Sequence, residues 1–174
     1  DSALNSRIGV AAETPNLYHK LTGRENLDLF ASLYETDVEE PIELLERVGL
    51  TDAADQRVGT YSKGMQMRLT FVRALLHRPA VLFLDEPTGG IDPGNARLVK
   101  DIIRRFRADG GTVFLTTHDM TVADELCDRV GFIVDGRLPV VETPRQLKLD
   151  YGEPVVRVEV RTDDRLETRE FALD

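Results

Sequence analysis

Residues 80–84 read AVLFL, five apolar residues in a row, and they run straight into Asp85, Glu86 and Pro87. A run this short and this apolar reads as a β-strand buried on both faces, because a solvent-facing strand would alternate polar with apolar residues. "TVFLTT" at 112–117 and a short strand at 7–12 have the same character. The stretches between them repeat at helical spacing. A helix over 24–35 carries Leu27, Phe30, Ala31 and Tyr34 on one face, with Thr22 or Gly23 as its cap. A second, over 38–48, closes at Gly49. A third, over 62–77, has Met65, Leu69, Val72 and Leu76 as its stripe, with Arg68 and Arg73 outside it. A fourth starts at Pro93, a favoured first helical residue, and runs to Ala108, where Gly110-Gly111 stops it. A short helix is expected at 120–127, then a strand and turn in "RVGFIVDG". The tail alternates as "VVRVEV", turns at Asp163-Asp164 and alternates again, as a hairpin does. Apolar strands separated by amphipathic helices imply an α/β fold with a mostly parallel sheet covered on both faces.

Composition narrows the function classes. At 174 residues the chain is long enough for one domain with its own core. Its longest apolar run is those five residues, far short of the ~20 that a spanning helix needs. No leader-like segment is visible at the N-terminus, and the single cysteine, Cys127, permits no internal disulfide and fits a reducing cytoplasm. A net charge of −9, with arginines spread rather than clustered, argues against a nucleic-acid surface. The chain opens on Asp1 and ends in mid-pattern, so it reads as a piece of something longer.

In parallel sheets ligands bind beyond the C-terminal strand ends, and Asp85 and Glu86 stand at such an end. Two adjacent carboxylates there repel unless something positive joins them. Mg²⁺ suits the place, since it is held by one or two carboxylates plus substrate phosphates. The second carboxylate is then able to orient, or take a proton from, an attacking water. A lone acidic pair is more often a solvated turn. The longer string, an apolar strand, then DEP, then Asp92-Pro93, is much rarer. Ser62 and Gly64 precede the third helix, whose N-terminus presents unpaired N–H groups and a positive dipole end, and Lys63 adds charge. The bland alternative is an ordinary serine cap. His118 follows "TVFLTT", on the same sheet edge as the acidic pair. His19 and His77 carry no such neighbours, and Cys127 reads as core.

Taken in order, "SKGM", "VLFLDEP", "GGIDP" and "TTH" resemble the ATP-binding cassette (ABC) ATPases that power ABC transporters, over about Arg7 to Leu149. "LTGRENL" and "YSKGM" look most like the cassettes of bacterial drug, antibiotic or ion exporters. The resemblance implies a P-loop NTPase-like sheet with a helical subdomain at about 17–78. It implies a cassette part over 1–150, incomplete at its N-terminus, followed by a β-rich tail from 151 to 174. By that resemblance, Ser62, Lys63, Gly64 and Met65 form the signature loop, which contacts ATP held on an opposing cassette. Asp85 supports Mg²⁺, Glu86 is the catalytic glutamate, and His118 is the switch histidine on the γ-phosphate. Asp92 lies in the loop that crosses to the partner cassette, and Glu13 takes the position linking the metal site to the helical subdomain. The implied partners are a second cassette, head to tail, and a transmembrane subunit. The implied location is the inner face of the cell membrane.

The chain departs from the family at Lys63 and Met65, where Gly and Gln are usual, and at Glu13, where Gln is usual. It also contains no G-x-x-x-x-G-K-[ST] phosphate loop. Its four lysines follow His19, Ser62, Val99 and Leu147, so no Gly-Lys pair exists. Two expectations follow: the isolated chain hydrolyses ATP negligibly, and the strand before that loop leaves a slot between the strands at 112–117 and about 129–134. Two other readings stand beside this one: a non-catalytic module that lends its signature loop to a partner or docks on a membrane subunit, and an ABC ATPase of translation or DNA repair.

Overall fold

A computed structural model describes residues 6–35, 37–152, 155–162 and 165–172. They fall into two compact units, Asp1–Met120 and Thr121–Asp174.

The first unit is built on a three-stranded parallel sheet, β1 (Ile8–Ala11), β2 (Val81–Asp85) and β3 (Thr112–Thr116), with β2 in the centre. Long connections separate the strands, as parallel pairing requires. Between β1 and β2 lie α1 (Gly23–Ala31), α2 (Pro41–Arg47), two short 3₁₀ turns and α3 (Lys63–Arg73), and between β2 and β3 lies α4 (Pro93–Ala108). α3 packs against β1, α4 against β3, and α3 also meets α1, α2 and α4. Leu69, Val72 and Leu76 of the expected stripe are fully buried, with Leu82 and Ile103, but Met65 is only half-buried and Met67 takes the deeper place. Each such side chain contributes about 1.5–3 kcal/mol of burial. Gly9 is where β1 comes closest to the helical layer. A β-carbon there would lie 2.2 Å from the carbonyl oxygen of Ala74, so only glycine fits.

Helix ends follow local chemistry. Thr22 caps α1 in a capping box: its Oγ1 accepts from the Glu25 N–H at 3.1 Å, and Glu25 Oε2 accepts from the Thr22 N–H at 2.8 Å. The helix stops at Ala31 rather than 35, because the next turn tightens: the Leu33 and Tyr34 N–H groups donate to the Phe30 and Ala31 carbonyls, both at 3.1 Å, beside the Ser32 hydroxyl, which donates to the Leu29 carbonyl at 2.7 Å. That frees Tyr34 to stack on His77, with centroids 4.2 Å apart. His77 is buried, with Nε2 2.9 Å from the Ile8 carbonyl oxygen, and burial lowers its pKa. Arg73 does not stand clear of the core: it donates to the Asn16 carbonyl and lies over Phe30, 4.4 Å from the ring centroid.

The expectation of a sheet covered on both faces fails within the described residues. β2 alternates, with Leu82 and Leu84 buried and Phe83 39% exposed. Val10, Phe83 and Phe114 are in register across the three strands, and all three are exposed. The helices between the strands cover only the Leu82 and Leu84 face. Phe83 and Phe114 pack on each other, with centroids 5.5 Å apart.

The second unit holds α5 (Met120–Leu126, its first residue in the first unit), β4 (Val130–Val134), β5 (Arg137–Glu142), α6 (Pro144–Tyr151), β6 (Val155–Thr162) and β7 (Arg165–Ala172). β4 and β5 form an antiparallel pair, and β6 and β7 form the expected hairpin; its turn, Asp163-Asp164, lies outside the described residues. The sequence reading missed β5 as a strand and missed α6 altogether. α6 carries a plain start signal: the Thr143 hydroxyl accepts from the Gln146 N–H at 3.2 Å and Pro144 takes the first helical position. Among the described residues no helix is long and apolar enough to cross a membrane.

Candidate functional site

The parallel register sets Asp85 opposite Thr116. The Thr116 hydroxyl donates to Asp85 Oδ1, which fixes the carboxylate and leaves Oδ2 for another ligand. Glu86 is the next residue, in the left-handed region at φ 46°. A non-glycine residue there costs on the order of 1–2 kcal/mol, and strain of this kind concentrates where a side chain must be aimed. The Glu86 N–H still bonds the Thr116 carbonyl, at 3.1 Å, so the turn comes directly off the sheet.

That turn points the Glu86 carboxylate at His118. Oε1 accepts from the His118 backbone N–H at 2.9 Å and meets its Nδ1 at 2.6 Å, while Oε2 accepts more loosely from the Thr117 hydroxyl at 3.3 Å. An ionised carboxylate only accepts, so Nδ1 carries the proton and Nε2 is the nitrogen presented to a ligand. The Glu86 side chain is 18% exposed and that of His118 is 86% exposed, so the pair has an anchored member and a member facing solvent. The hydrogen bond to Glu86 and the Glu86 charge raise the His118 pKa, with smaller contributions from Asp119 and Glu13. Glu13 is exposed in the bend after β1. Contrary to the expectation of a carboxylate free to act on water, Glu86 is already engaged at both oxygens. Oε2, with its one long bond, keeps the greater capacity to hold a water.

The signature-like residues form a second group. Ser62 caps α3, its Oγ accepting from the Met65 N–H at 3.2 Å, and its own proton remains available to an anion. Lys63 reaches the loop after β2, where Gly90 has φ 65°, and a β-carbon at Gly90 would come within 2.6 Å of Lys63 Nζ. Gly64 faces Asn95. Asp92 caps α4: Oδ1 accepts from the N–H groups of Gly94 and Asn95, both at 3.1 Å, and Oδ2 from the Asn95 side chain. Those bonds, the Asn95 ones first, lower the Asp92 pKa. Asp85, Glu86, His118 and Glu13 thus gather at the strand ends. Ser62, Lys63, Gly64, Met65 and Asp92 gather where α3 meets α4. The two groups share the loop after Glu86, and among the described residues no hydrogen bond or ion pair joins them.

Sequence reasoning missed the residues that hold these groups in place. Thr116 and Thr117 orient the two carboxylates. Arg68, read as lying outside the stripe, donates to the carbonyls of Gly64 at 3.3 Å and of Val48. Asn26, fully buried, accepts from the Tyr18 N–H at 2.9 Å and donates to the carbonyls of Tyr18 and Thr22. That latch ties the segment after Glu13 to α1.

No group of three or more His, Cys, Asp or Glu able to hold a metal occurs among the described residues. The donors present suit Mg²⁺, which draws most of its ligands from phosphate and water and needs only one or two carboxylates. Asp85, with one oxygen fixed by Thr116, and Glu13 are the candidates here.

Comparison with known proteins follows the same line. The family described as ABC transporter matches residues 1–89, just over half of the chain. A fluoroquinolones export ATP-binding protein of Mycobacterium tuberculosis is 59% identical over 169 residues, covering 97% of this chain and 56% of the relative. A daunorubicin resistance ATP-binding protein of Streptomyces coeruleorubidus is 40% identical over 168 residues, covering 94% of this chain and 52% of the relative. The chain spans about half the length of these relatives. An ATP-binding cassette solved as a dimer in a post-hydrolysis state with ADP and Pi superimposes with a TM-score of 0.73 at 26% identity, over 83% of this chain and 68% of that one. The ATP-binding subunit of an ABC transporter superimposes with a TM-score of 0.76 at 27% identity, over 87% of this chain and 65% of that one.

Proposed function

Since the chain belongs to the ABC transporter family of ATP-binding cassettes, we propose that it is part of the ATP-hydrolysing subunit of a membrane exporter, of the kind that carries drugs or antibiotics outward. The observation that carries this is the clasp of Glu86 on His118 at the C-terminal end of β2, beside Asp85. In this reading Glu86 Oε2 orients the attacking water, and His118 Nε2 faces the γ-phosphate. With its pKa raised by Glu86, His118 is more often an imidazolium and donates to a phosphoryl oxygen. Mg²⁺, when bound, withdraws charge from the phosphate oxygens; Asp85 and Glu13 are the residues that would hold it. Ser62, Lys63, Gly64 and Met65 serve a nucleotide on an opposing cassette, and Asp92 holds the loop between the two groups by capping α4.

We place the phosphate loop, which these 174 residues do not contain, in the preceding part of the longer protein. Two features are consistent with this: among the described residues β3 has one strand partner, β2, and Val10, Phe83 and Phe114 offer an apolar row to whatever completes the sheet. Residues 1–150 then belong to the cassette and 151–174 begin a separate tail. A transmembrane subunit would dock on the helical part, where Tyr18, Leu29 and Leu33 are exposed, which puts the protein on the inner face of the cell membrane. The test is ATP hydrolysis by the full-length protein with and without Mg²⁺, beside Asp85→Asn. The reading requires metal-dependent turnover that Asp85→Asn reduces at least about tenfold, a loss of one strong charged contact; turnover indifferent to both would overturn it.

A further inference from the structure

At the opposite end of the sheet from Glu86, a cavity of about 550 Å³ opens where β2 and β3 begin. Three arginines line it: Arg47 from α2, Arg78 before β2 and Arg105 near the end of α4. Arg47 is paired with Glu39. Arg78 and Arg105 are different, for among the described residues neither guanidinium has an ion-pair or hydrogen-bond partner. Asp109 is the one other acidic residue in the lining, so two unpaired cations face one carboxylate, in a protein of net charge −9. Behind the charges the wall is apolar. Leu75 and Ile102 are buried, and the Phe106 ring lies against Gly111, where a β-carbon would come within 2.2 Å of it. The volume is in the range of small-ligand sites, which pair an apolar body with a few placed polar groups.

We propose that this cavity binds a small organic anion, a phosphate or carboxylate carried on an aromatic or branched apolar body. Arg78 and Arg105 grip the acid and Leu75, Ile102 and Phe106 receive the body. Guanidinium groups suit the role because they stay charged and hold carboxylate or phosphate oxygens in a planar fork. The cavity is a strand length, roughly 15 Å, from the Asp85–Glu86 end, and its occupancy does not depend on how that end is read. Its walls belong to α2, the segment joining α3 to β2, and α4, so a bound anion would tie the helical layer to the sheet.

The test is a titration of the ¹⁵N-labelled full-length protein with phenyl phosphate, followed by amide spectra, with inorganic phosphate and benzyl alcohol as half-ligands. Saturable shifts at Leu75, Arg78, Ala80, Gly110 and Gly111 are expected, with each half-ligand at least about tenfold weaker. Arg105→Gln, at an exposed position, should weaken phenyl phosphate about tenfold. Adding Arg78→Asn, a residue that tolerates the φ of 50° at position 78, should bring the loss to about a hundredfold. Inorganic phosphate binding as tightly as phenyl phosphate would refute the apolar subsite. Shifts confined to the Ser62 or His118 regions, or an Arg105→Gln affinity equal to wild type, would refute the site itself.

Discussion

Arg68→Ala tests how the signature-like loop is held. Arg68 is half-buried on α3 and its guanidinium spans two elements. Nη1 donates to the carbonyl of Val48, at the C-terminal end of α2, and Nε donates to the carbonyl of Gly64 at 3.3 Å. A further contact, from Nη1 to Gly49 O at 3.5 Å, is too long to count. A good hydrogen bond from a charged donor is worth about 1.5–3 kcal/mol, and a cation at a helix C-terminus adds about 0.3–1 kcal/mol. The long bond to Gly64 adds little, and desolvation, which lowers the Arg68 pKa, offsets part of the gain. Truncation to alanine is therefore expected to destabilise the chain by about 2–3 kcal/mol. For a chain of this size that corresponds to a fall of roughly 4–12 °C in Tm. Urea and thermal unfolding followed by circular dichroism at 222 nm measure it. Arg68→Lys, which keeps the charge but not the fork, should recover less than half of the loss. A loss below about 0.5 kcal/mol for Arg68→Ala would refute the reasoning, because that is the range of an ordinary surface substitution.

The remaining predictions are independent of that one. Histidine NMR should find His118 titrating above its ordinary range, and Glu86→Gln should bring it down, since the Glu86 hydrogen bond and charge are the main cause. Because the folded pKa is raised, the pair stabilises the fold fully below the unfolded value of about 6.5, and that contribution is lost as pH rises through the folded value; a stability profile with the opposite slope from this pair would contradict it. In the 174-residue chain, Leu82→Ala, fully buried at the centre of the sheet, should cost about 2–5 kcal/mol in urea unfolding, whereas Phe83→Ala, on the face left open there, should cost clearly less; equal losses would mean that face is covered in this chain in solution. The 174-residue chain, without a phosphate loop, should show negligible ATPase activity, and an ATP affinity in the low micromolar range by calorimetry would count against that.

The reach of the sequence differed between the two halves of the problem. Strand β2 and helix α4 were legible because an uninterrupted apolar run and an Asp-Pro start are local signals. The meeting of Glu86 with His118 was legible only as a shared sheet edge. The clasp itself depends on the left-handed turn at Glu86 and on the β2–β3 register, neither of which a linear pattern encodes. Thr116, Thr117, Arg68 and Asn26 act through backbone or side-chain partners up to 31 residues away, so spacing alone could not single them out. The helix over 24–35 ran too long because a periodic pattern continued through Tyr34, whereas tertiary stacking on His77 claimed that ring. The sheet face was misread for a related reason. An all-apolar strand says that both faces avoid water in the finished protein, and not which segment covers each of them.

The most direct measurement is the turnover number of full-length protein carrying Glu86→Gln, at saturating Mg-ATP and beside wild type. If Glu86 orients the hydrolytic water, kcat falls by about a hundredfold or more, as expected for loss of a general base, while ATP binding is retained. A kcat within a factor of about two of wild type, well short of even one tenfold step in barrier, would show that the Glu86–His118 clasp is scaffolding and not chemistry.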